Sequence, residues 1–478
     1  MPRLLVTAGL TWLLLCASAS AQATGPSTEP STEPSTSGWS AAPAGEEPAP
    51  GEPIAADAER ERPDYDGRGL PPRDPADDVL WIPRIVFAPF YVISEFVLRR
   101  PLGWLVTEIE RSGLFDEFFD FFTWEDRTAG LVPTAFFDFG FLPSVGLYFW
   151  WNDLGVEGHQ LRINLGFWGP DWLHARALDR LALADGVELS FEVEGMRRPD
   201  HLWHGGGWAA RPEARSRYGR SELQGGAQLA IEPWRASRIQ YRAGVSYNEF
   251  DNSAFNADGD GDLPIESAVA QGLFDAPPSY TNGYVALTNR LDATFDTREE
   301  RPAPGHGVRL QGWLGHGVDL QAPDRSSWIR YGGRLGLFVD VGDQRVVSLS
   351  GYVDFADALS DREVPFTEQV VLSRDPLLMG GFLPGYLVGR SATVLSFEYA
   401  WPIWVFIEGT LHASLGNVFG SRLEDFDVER LRMSFGFGFR TIGDRDNSAR
   451  ITIALGTEPF VRGANVSSVR FVVGASSF

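Results

Sequence analysis

Side-chain oxygens recur at every second position between residues 256 and 262, and this pattern is the closest in the sequence to a metal site. The residues that carry these oxygens are Asn256, Asp258, Asp260 and Asp262. Gly261 stands at the sixth position, as in the first half of a calcium loop, which binds its ion through oxygen ligands. The closing glutamate is missing, because Ser267 occupies the twelfth position. The pattern predicts either a calcium site or a solvated acidic loop, and no other cofactor is indicated.

Catalytic chemistry has little support in the sequence. His201 and His204 stand just before the three glycines of residues 205–207, which fits a glycine-rich turn or a sparse metal site. The Gly-x-Ser-x-Gly motif that holds the nucleophile of many hydrolases does not occur in the sequence. We therefore predict a protein that is not an enzyme, with a lipase or protease as the alternative.

The composition indicates an exported protein that does not bind nucleic acid. The formal net charge of the 478 residues is -23, and such a charge repels nucleic-acid phosphates. Residues 1–23 are predicted to be a signal peptide, with Arg3, an apolar run and small residues before the cleavage site. The single cysteine, Cys16, lies in this segment, so we expect no disulfide in the mature chain.

Two segments separate the signal peptide from the rest of the chain. Residues 24–75 contain the repeat PSTEPSTEPSTS and are predicted to be a disordered tether, because they bury too little apolar surface to offset the entropy of folding. Residues 76–130 carry apolar side chains at helical spacing, but Pro83 and Pro89 interrupt the longest run. We predict a periplasmic amphipathic helical segment there, at a membrane surface or a barrel mouth, rather than a membrane-spanning helix.

From residue 131 to residue 478, apolar and polar residues alternate with the period of a β-strand. Phe435, Phe437 and Phe439, for example, alternate with glycines and with Arg440. Sixteen such segments follow one another, most of them about ten residues long or more, as in bacterial transmembrane barrels. In lipid, strands satisfy their backbone hydrogen bonds only in a closed barrel. The predicted fold class is therefore all-β, a 16-stranded antiparallel barrel with outer-membrane lipid as its partner.

The strand order also predicts where the loops lie. The three longest connections, residues 198–215, 251–282 and 357–390, each follow an odd-numbered strand. All three are therefore expected at one end of the barrel, outside the cell. This agreement depends on the fourth strand, residues 172–183, whose alternation is the weakest of the sixteen.

Two motifs stand out within the predicted barrel. The first is a glycine-rich loop before the twelfth strand, with the residues Gly380, Gly381, Gly385, Tyr386, Gly389 and Arg390. The second is the turn Asp296-Thr297-Arg298, followed by Gly305 ahead of the ninth strand. Together with Glu398 in the twelfth strand, these motifs resemble those of the BamA/TamA-like family of bacterial outer-membrane assembly factors.

The resemblance covers residues 131–478 and implies a function. Barrels of this family have sixteen strands, fold their sixth extracellular loop into the lumen, and insert or translocate proteins at the outer membrane. The implied clients are unfolded outer-membrane or secreted proteins, which pair with a weak seam between the first and last strands. Gly474 and Ser476 fit such a seam, and Phe478 resembles the C-terminal aromatic signal of outer-membrane proteins. The alternative is a passive or plugged pore.

The sequence departs from the family pattern in ways that affect the loop. Residues 24–130 leave no room for several of the periplasmic POTRA modules that family members carry. Pro384 replaces the loop arginine of the family, and Ser414 replaces the carboxylate expected on the inner face of strand thirteen. Removing both partners of a buried ion pair can be nearly neutral.

A different ion pair could then hold the loop. Arg390 ends the glycine-rich loop, and Glu398 and Glu408 can both face the lumen from the following strands. Arg390 is therefore expected either to bind one of these two carboxylates or to be a solvated residue of the lumen.

Overall fold

The structure is a computed structural model that describes residues 120–252, 262–298, 305–322, 326–342, 344–375, 377–404, 407–441 and 448–476. The expected signal peptide, tether and most of the helical segment lie outside the described residues. Sixteen long strands, β1 to β16, make up most of the described chain. In order they are Ala129–Asp138, Ser144–Asn152, His159–Phe167, Leu173–Ala184, Val187–Trp203, Ser216–Trp234, Ser237–Asn252, Tyr284–Asp296, Gly307–Asp319, Ser327–Asp340, Val346–Ala358, Ser391–Trp404, Ile407–Phe419, Arg432–Thr441, Ser448–Thr457 and Val466–Ser476.

The remaining elements are short. One α-helix, α1, spans Ile265–Ala270. The two-residue strands are Thr123–Trp124, Leu263–Pro264, Val370–Val371 and Val388–Gly389, and the 3-10 turns are Pro212–Ala214, Phe366–Glu368, Ser421–Leu423, Val428–Arg430 and Phe460–Arg462. Within the described ranges, no helix is both long and apolar enough to cross a membrane.

The sixteen strands form one closed antiparallel barrel. Each strand pairs with the next in the chain, and β16 pairs with β1 to close the sheet. The predicted fold class is therefore confirmed, including the weak fourth strand, which pairs along its whole length with β3 or β5. Because the strands alternate in direction, the three longest connections lie at one end, which we call the loop end.

Two strand boundaries differ from the sequence prediction for local reasons. β5 continues to Trp203 instead of ending near residue 197, because a bulge between Arg198 and His201 carries the strand past Pro199. β14 begins at Arg432 rather than at residue 428, because Val428–Arg430 form a 3-10 turn.

The apolar face of each strand points out of the barrel and the polar face points into it. On β5, Phe191 and Val193 are 46% and 57% exposed, whereas Ser190 is buried. Leu349 and Val353 on β11 repeat this arrangement, with Ser350 buried between them. An exposed apolar surface around a polar interior is the reverse of a soluble protein and fits a barrel whose outer face contacts lipid.

The loop end is filled by apolar side chains from the connections. Residues 359–390, which we call the inner loop, fold into the lumen and bury Met379, Phe382 and Leu387. A second buried cluster joins Ile265 of α1 to Phe366 and to aromatic side chains of β5 and β6. Tertiary packing of loops therefore closes this end of the barrel.

Candidate functional site

β1 and β16 close the barrel through a short ladder, which we call the seam. Three residue pairs form it, namely Phe136 with Gly474, Phe137 with Val473 and Asp138 with Val472. One more backbone bond joins the N–H of Phe139 to the carbonyl of Phe471 at 3.0 Å. By contrast, fifteen residue pairs join β5 to β6. Among the sixteen long strands as described, the seam is the junction with the fewest residue pairs.

The edge of β1 that faces the seam is only partly covered. Thr123–Trp124 pairs with Ala129 and Gly130 at the start of β1, on the edge opposite to β2. Between this pairing and the seam, residues 131–135 have no strand partner on that edge within the described chain. Pro133 lies in this stretch, as is common for edge strands, because proline lacks the N–H that a central strand needs. This part of β1 therefore has the backbone chemistry of a sheet edge.

A buried ion pair crosses the seam. Arg470 of β16 donates through Nε and Nη2 to the two carboxylate oxygens of Asp138 on β1, at 3.1 and 2.6 Å. Its remaining nitrogen, Nη1, donates to the carbonyls of Ser373 and Phe382 in the inner loop, at 2.7 and 3.3 Å. Both charged side chains are only 7% exposed. Arg470 thus links the last strand of the barrel both to the first strand and to the inner loop.

Three serines on neighbouring strands hold the inner loop against the lumen wall. Ser396, Ser414 and Ser434 lie opposite one another on β12, β13 and β14. The hydroxyls of Ser396 and Ser414 donate to the carbonyl of Leu377, from Ser414 at 2.8 Å, and Ser434 Oγ accepts from the N–H of Gly381 at 2.8 Å. At the position where the resemblance predicted a carboxylate, Ser414 therefore supplies a neutral hydrogen bond to the loop.

The glycines of the inner loop lie close to the barrel backbone. A Cβ on Gly381 would stand 2.1 Å from the carbonyl oxygen of Leu455 on β15, so no side chain fits there. Gly385 has a φ of +94°, and a Cβ there would meet the carbonyl of Leu202 at 2.2 Å. Gly380 is buried and Gly389 pairs with Val370. The predicted loop motif thus marks the part of the loop that contacts the wall most closely.

Tyr386 connects the inner loop to the loop between β5 and β6. Its ring lies 4.2 Å from the ring of His204 and is packed against the Arg432 guanidinium, centroid to Cζ 5.6 Å. Burial raises the pKa of the Tyr386 hydroxyl, so the side chain is neutral. Arg432 in turn donates to the carbonyls of Trp208 and Ala210, from Nη2 at 3.3 and 2.6 Å.

His201 and His204 do not form a metal site. Both are enclosed by the loops, and no group of three potential metal ligands occurs among the described residues. Burial, together with the nearby cations Arg215 and Arg217, lowers the pKa of His204 to about 3. His204 is therefore a neutral ring packed between two loops.

The predicted partner of Arg390 was wrong. Arg390 donates through Nε to the carbonyl of Ala356 at 2.6 Å and lies 4.0 Å from Asp357. Glu398 and Glu408 do face the lumen, but Arg440 of β14 binds both of them, at 3.1 Å and 2.5 Å. The strand register brings Arg440 next to the two carboxylates, whereas Arg390 remains at the loop end.

The Asp296-Thr297-Arg298 motif builds a closed turn between β8 and β9. Asp296 accepts from Arg298 Nη2 at 2.7 Å, and Thr297 Oγ1 accepts from the N–H of Val308 at 2.8 Å. Gly305 lies beside Asp340 of the neighbouring turn. The turn stands at the end of the barrel opposite the inner loop, so the two sequence motifs do not meet.

The calcium prediction and the C-terminal signal remain predictions. Asn256, Asp258, Asp260 and Phe478 lie outside the described residues. Asp262 is described, and its two carboxylate oxygens bind Arg215 and Arg217 at 2.8 and 2.6 Å.

Away from the seam, the lumen wall is polar. Two cavities of about 240 and 230 Å³ lie along β5 to β11 and share Arg290 and Arg330. Charges on this wall pair with neighbouring strands, for example Arg330 with Asp354 at 2.7 Å. The inner loop reaches this wall as well as the seam, because its Glu368 accepts a hydrogen bond from the Tyr284 hydroxyl of β8 at 2.8 Å.

Sequence reasoning missed the two residues that join the seam to the loop. Asp138 stands in the aromatic run Phe136 to Phe139, where a lone carboxylate on the polar face was a usable signal. Arg470 also lies on a polar face, but its partner is 332 positions away in the chain. The alternation of side chains along each strand predicts that both residues face the lumen. Only the closure of the barrel brings them together.

A comparison with solved structures supports the fold. No protein-family model and no curated protein sequence matches the chain. BamA from Haemophilus ducreyi lacking POTRA domains 1-3 aligns with a TM-score of 0.51 and 13% identity, over 73% of this chain and 70% of that chain.

Two further solved structures match less closely. CdiB from Acinetobacter baumannii and CdiB from Escherichia coli align at 12% identity over 72% of this chain, with TM-scores of 0.43 and 0.45. The alignments cover 59% and 62% of those two chains. At such identities the similarity concerns the fold alone. The chain is thus a sixteen-stranded β-barrel with the fold of BamA.

Proposed function

We propose that this protein is an outer-membrane barrel that inserts or translocates other proteins through its seam. The observation that carries the proposal is the short seam ladder. It has three residue pairs, whereas the β5–β6 junction has fifteen. The similarity to the BamA structure and the sequence motifs of the inner loop support the same function.

The free edge of β1 is the surface on which a client strand would pair. Residues 131–135 carry backbone groups without a strand partner within the described chain, and an extended polypeptide can bond to such groups. The client class is therefore an unfolded polypeptide that forms β-strands, such as an outer-membrane or secreted protein. Lipid on the outer face is the second partner. The proposal involves no covalent chemistry.

A passive pore is the second candidate, and the polar cavities along β5 to β11 favour it. The packing at the loop end opposes it, because Met379, Phe382 and Leu387 of the inner loop are fully buried there. An open pore would need these apolar side chains to leave the lumen.

A reversible lock across the seam tests the proposal. Cysteines replacing Phe137 and Val473, which pair directly across the seam, would form a disulfide that prevents β1 from leaving β16. The matched control places cysteines at Leu189 and Leu229, a direct pair in the β5–β6 junction. Each variant, with Cys16→Ser, would replace the native protein in cells whose outer-membrane proteome is then measured.

We expect depletion of the native protein to lower a subset of outer-membrane proteins. The oxidised seam variant should fail to restore them, the reduced one should restore them, and the control should restore them in both states. An oxidised seam variant that works as well as the control would contradict the proposal. Steady currents in planar bilayers, unaffected by the lock, would identify the passive pore instead.

A further inference from the structure

We propose that Arg470 couples the docking of the inner loop to closure of the seam, so that neither can open without weakening the other. The biological use of this coupling rests on the proposed function, but its physical basis does not. We call Arg470, Asp138 and the two loop carbonyls that Arg470 binds the seam latch.

The geometry of the guanidinium makes the coupling specific. The group is planar and rigid, so its orientation fixes all of its donors at once. Nε and Nη2 face Asp138 on β1, while Nη1 faces Ser373 and Phe382 in the inner loop. Movement of β1 frees the plane to rotate away from the loop carbonyls. Departure of the loop removes the acceptors that keep the plane turned towards Asp138.

Water has little room to replace either set of bonds. The cavity between Gly380, Arg450 and Arg470 measures about 10 Å³, which is at the lower limit for one water molecule. The side chains of Arg470 and Asp138 are each only 7% exposed. A charge in such a place depends on its partners, because the loss of one leaves it uncompensated.

The backbone ladder of the seam is so short that the loss of one side-chain contact should measurably weaken the seam. Where fifteen residue pairs join two strands, one side chain changes little, but the seam has three. The inner loop bonds to β16 through the latch and lies against β15 at Gly381, and its Leu383 side chain also lies beside Gly140, two residues after Asp138. Arg470 is the side chain that hydrogen-bonds both Asp138 and the loop, so it is the direct hydrogen-bonded route between them.

The coupling between the loop and the seam can be tested through thermodynamic linkage. If loop docking favours seam closure by some factor, seam closure favours loop docking by the same factor. A change confined to one element should therefore be detected at the other element. Two readouts on the purified full chain in micelles measure this: proteinase cleavage within residues 359–390, and the rate of disulfide formation between cysteines at Phe137 and Val473.

Three variants and one lock complete the experiment. Asp138→Asn perturbs β1 without touching the loop, and Gly381→Val perturbs the loop without touching β1. Arg242→Gln is the matched control, because Arg242 is a lumen arginine of β7 that bonds Gln228 of β6 at 2.9 Å and has no bond to the seam or the inner loop among the described contacts. Oxidising the seam cysteines in the otherwise unchanged chain tests the coupling without any risk to folding.

We expect Asp138→Asn to speed loop cleavage by at least about fivefold, and Gly381→Val to slow disulfide formation by a similar factor, the lower end of usual coupling strengths. The oxidised seam should slow loop cleavage relative to the reduced one, and Arg242→Gln should change neither readout by more than about twofold. Equal loop cleavage in the oxidised and reduced proteins would overturn the proposal. Because no client is present, this outcome is independent of the assembly test in cells.

Discussion

The two sides of the barrel are built from the same alternation of residues but are held together differently. On the β5–β6 side, strands of 17 and 19 residues pair along almost their whole length. Polar lumen side chains there bond across neighbouring strands, as Arg176 does with Glu192 at 2.9 Å. On the seam side, three residue pairs are supplemented by a loop and by the Asp138–Arg470 ion pair.

This contrast shows that a closed barrel need not be uniformly stable. A long backbone ladder distributes its stability over many bonds, so single side chains there are replaceable. A short ladder concentrates stability in a few tertiary contacts, which can be broken as a unit. Elements that move in function generally come from such low-stability regions. Four experiments test this comparison.

The largest effect is expected at the ion pair across the seam. Asp138→Asn leaves the Arg470 charge buried without its partner, which should lower the free energy of unfolding by about 3–5 kcal/mol. Glu192→Gln on β5 breaks the pair with Arg176, whose two side chains are 22% and 21% exposed, and should cost less, about 1 kcal/mol. Urea unfolding in micelles measures both. Equal losses of unfolding free energy in the two variants would show that the seam does not depend more on a single ion pair than the β4–β5 wall does.

Loop docking gives the next effect. Gly381→Val forces a side chain against the Leu455 carbonyl, and overpacking of this kind costs about 1–3 kcal/mol. Gly351→Val is the control, since a Cβ there meets no atom within 4 Å. Heat-induced unfolding, followed by circular dichroism, should show a lower midpoint for the first variant and an unchanged one for the second.

Acid should loosen the loop between β5 and β6. His204 has a pKa of about 3 when folded and about 6.5 when unfolded, so its contribution is complete above pH 6.5 and is lost as the pH falls. Between pH 7 and pH 5, opening of residues 204–215 should become easier by about 2 kcal/mol. Hydrogen exchange, corrected for intrinsic rates, measures this opening. The same pH dependence in His204→Gln would assign it to other groups.

The smallest effect is expected at the serine row. Ser414→Ala removes one of two hydrogen bonds to the Leu377 carbonyl and should weaken loop docking by about 1 kcal/mol. Ser246 on β7, which is buried and accepts from Asn248 Nδ2 at 3.4 Å, provides the control Ser246→Ala. Proteinase cleavage within the inner loop should rise about fivefold in the first variant only, the rate equivalent of that energy. Equal cleavage in the two variants would remove the special role of Ser414.

Much of the fold could be predicted from the sequence because alternation is a local property. The period of two assigned Phe191 and Val193 to one face and Glu192 to the other, and the structure places them so. Counting sixteen segments fixed the end at which residues 359–390 lie, since each strand reverses the chain. The sequence predicted a glycine-rich loop, and the structure shows why glycine stands at 381 and 385, where a Cβ would meet a backbone carbonyl.

The partners of the charged residues could not be predicted in the same way. The alternation along the strands showed that Glu398 and Glu408 face the lumen. The register between β12, β13 and β14 places Arg440 beside both carboxylates, so Arg440 binds them instead of Arg390. Nearness in the sequence favoured Arg390, and it was misleading because a barrel brings distant strands together.

The sequence by itself determined the barrel, its strand number and the two faces of each strand. Each of these follows from the period of a strand, which acts over a few residues. The entry of the loop into the lumen was implied by the resemblance of its motif to a known family. Only the tertiary structure decided that the seam is short and that Arg470 meets Asp138 and the loop at the same point. Those facts depend on how far β1 and β16 overlap when the sheet closes, and no local pattern encodes that overlap.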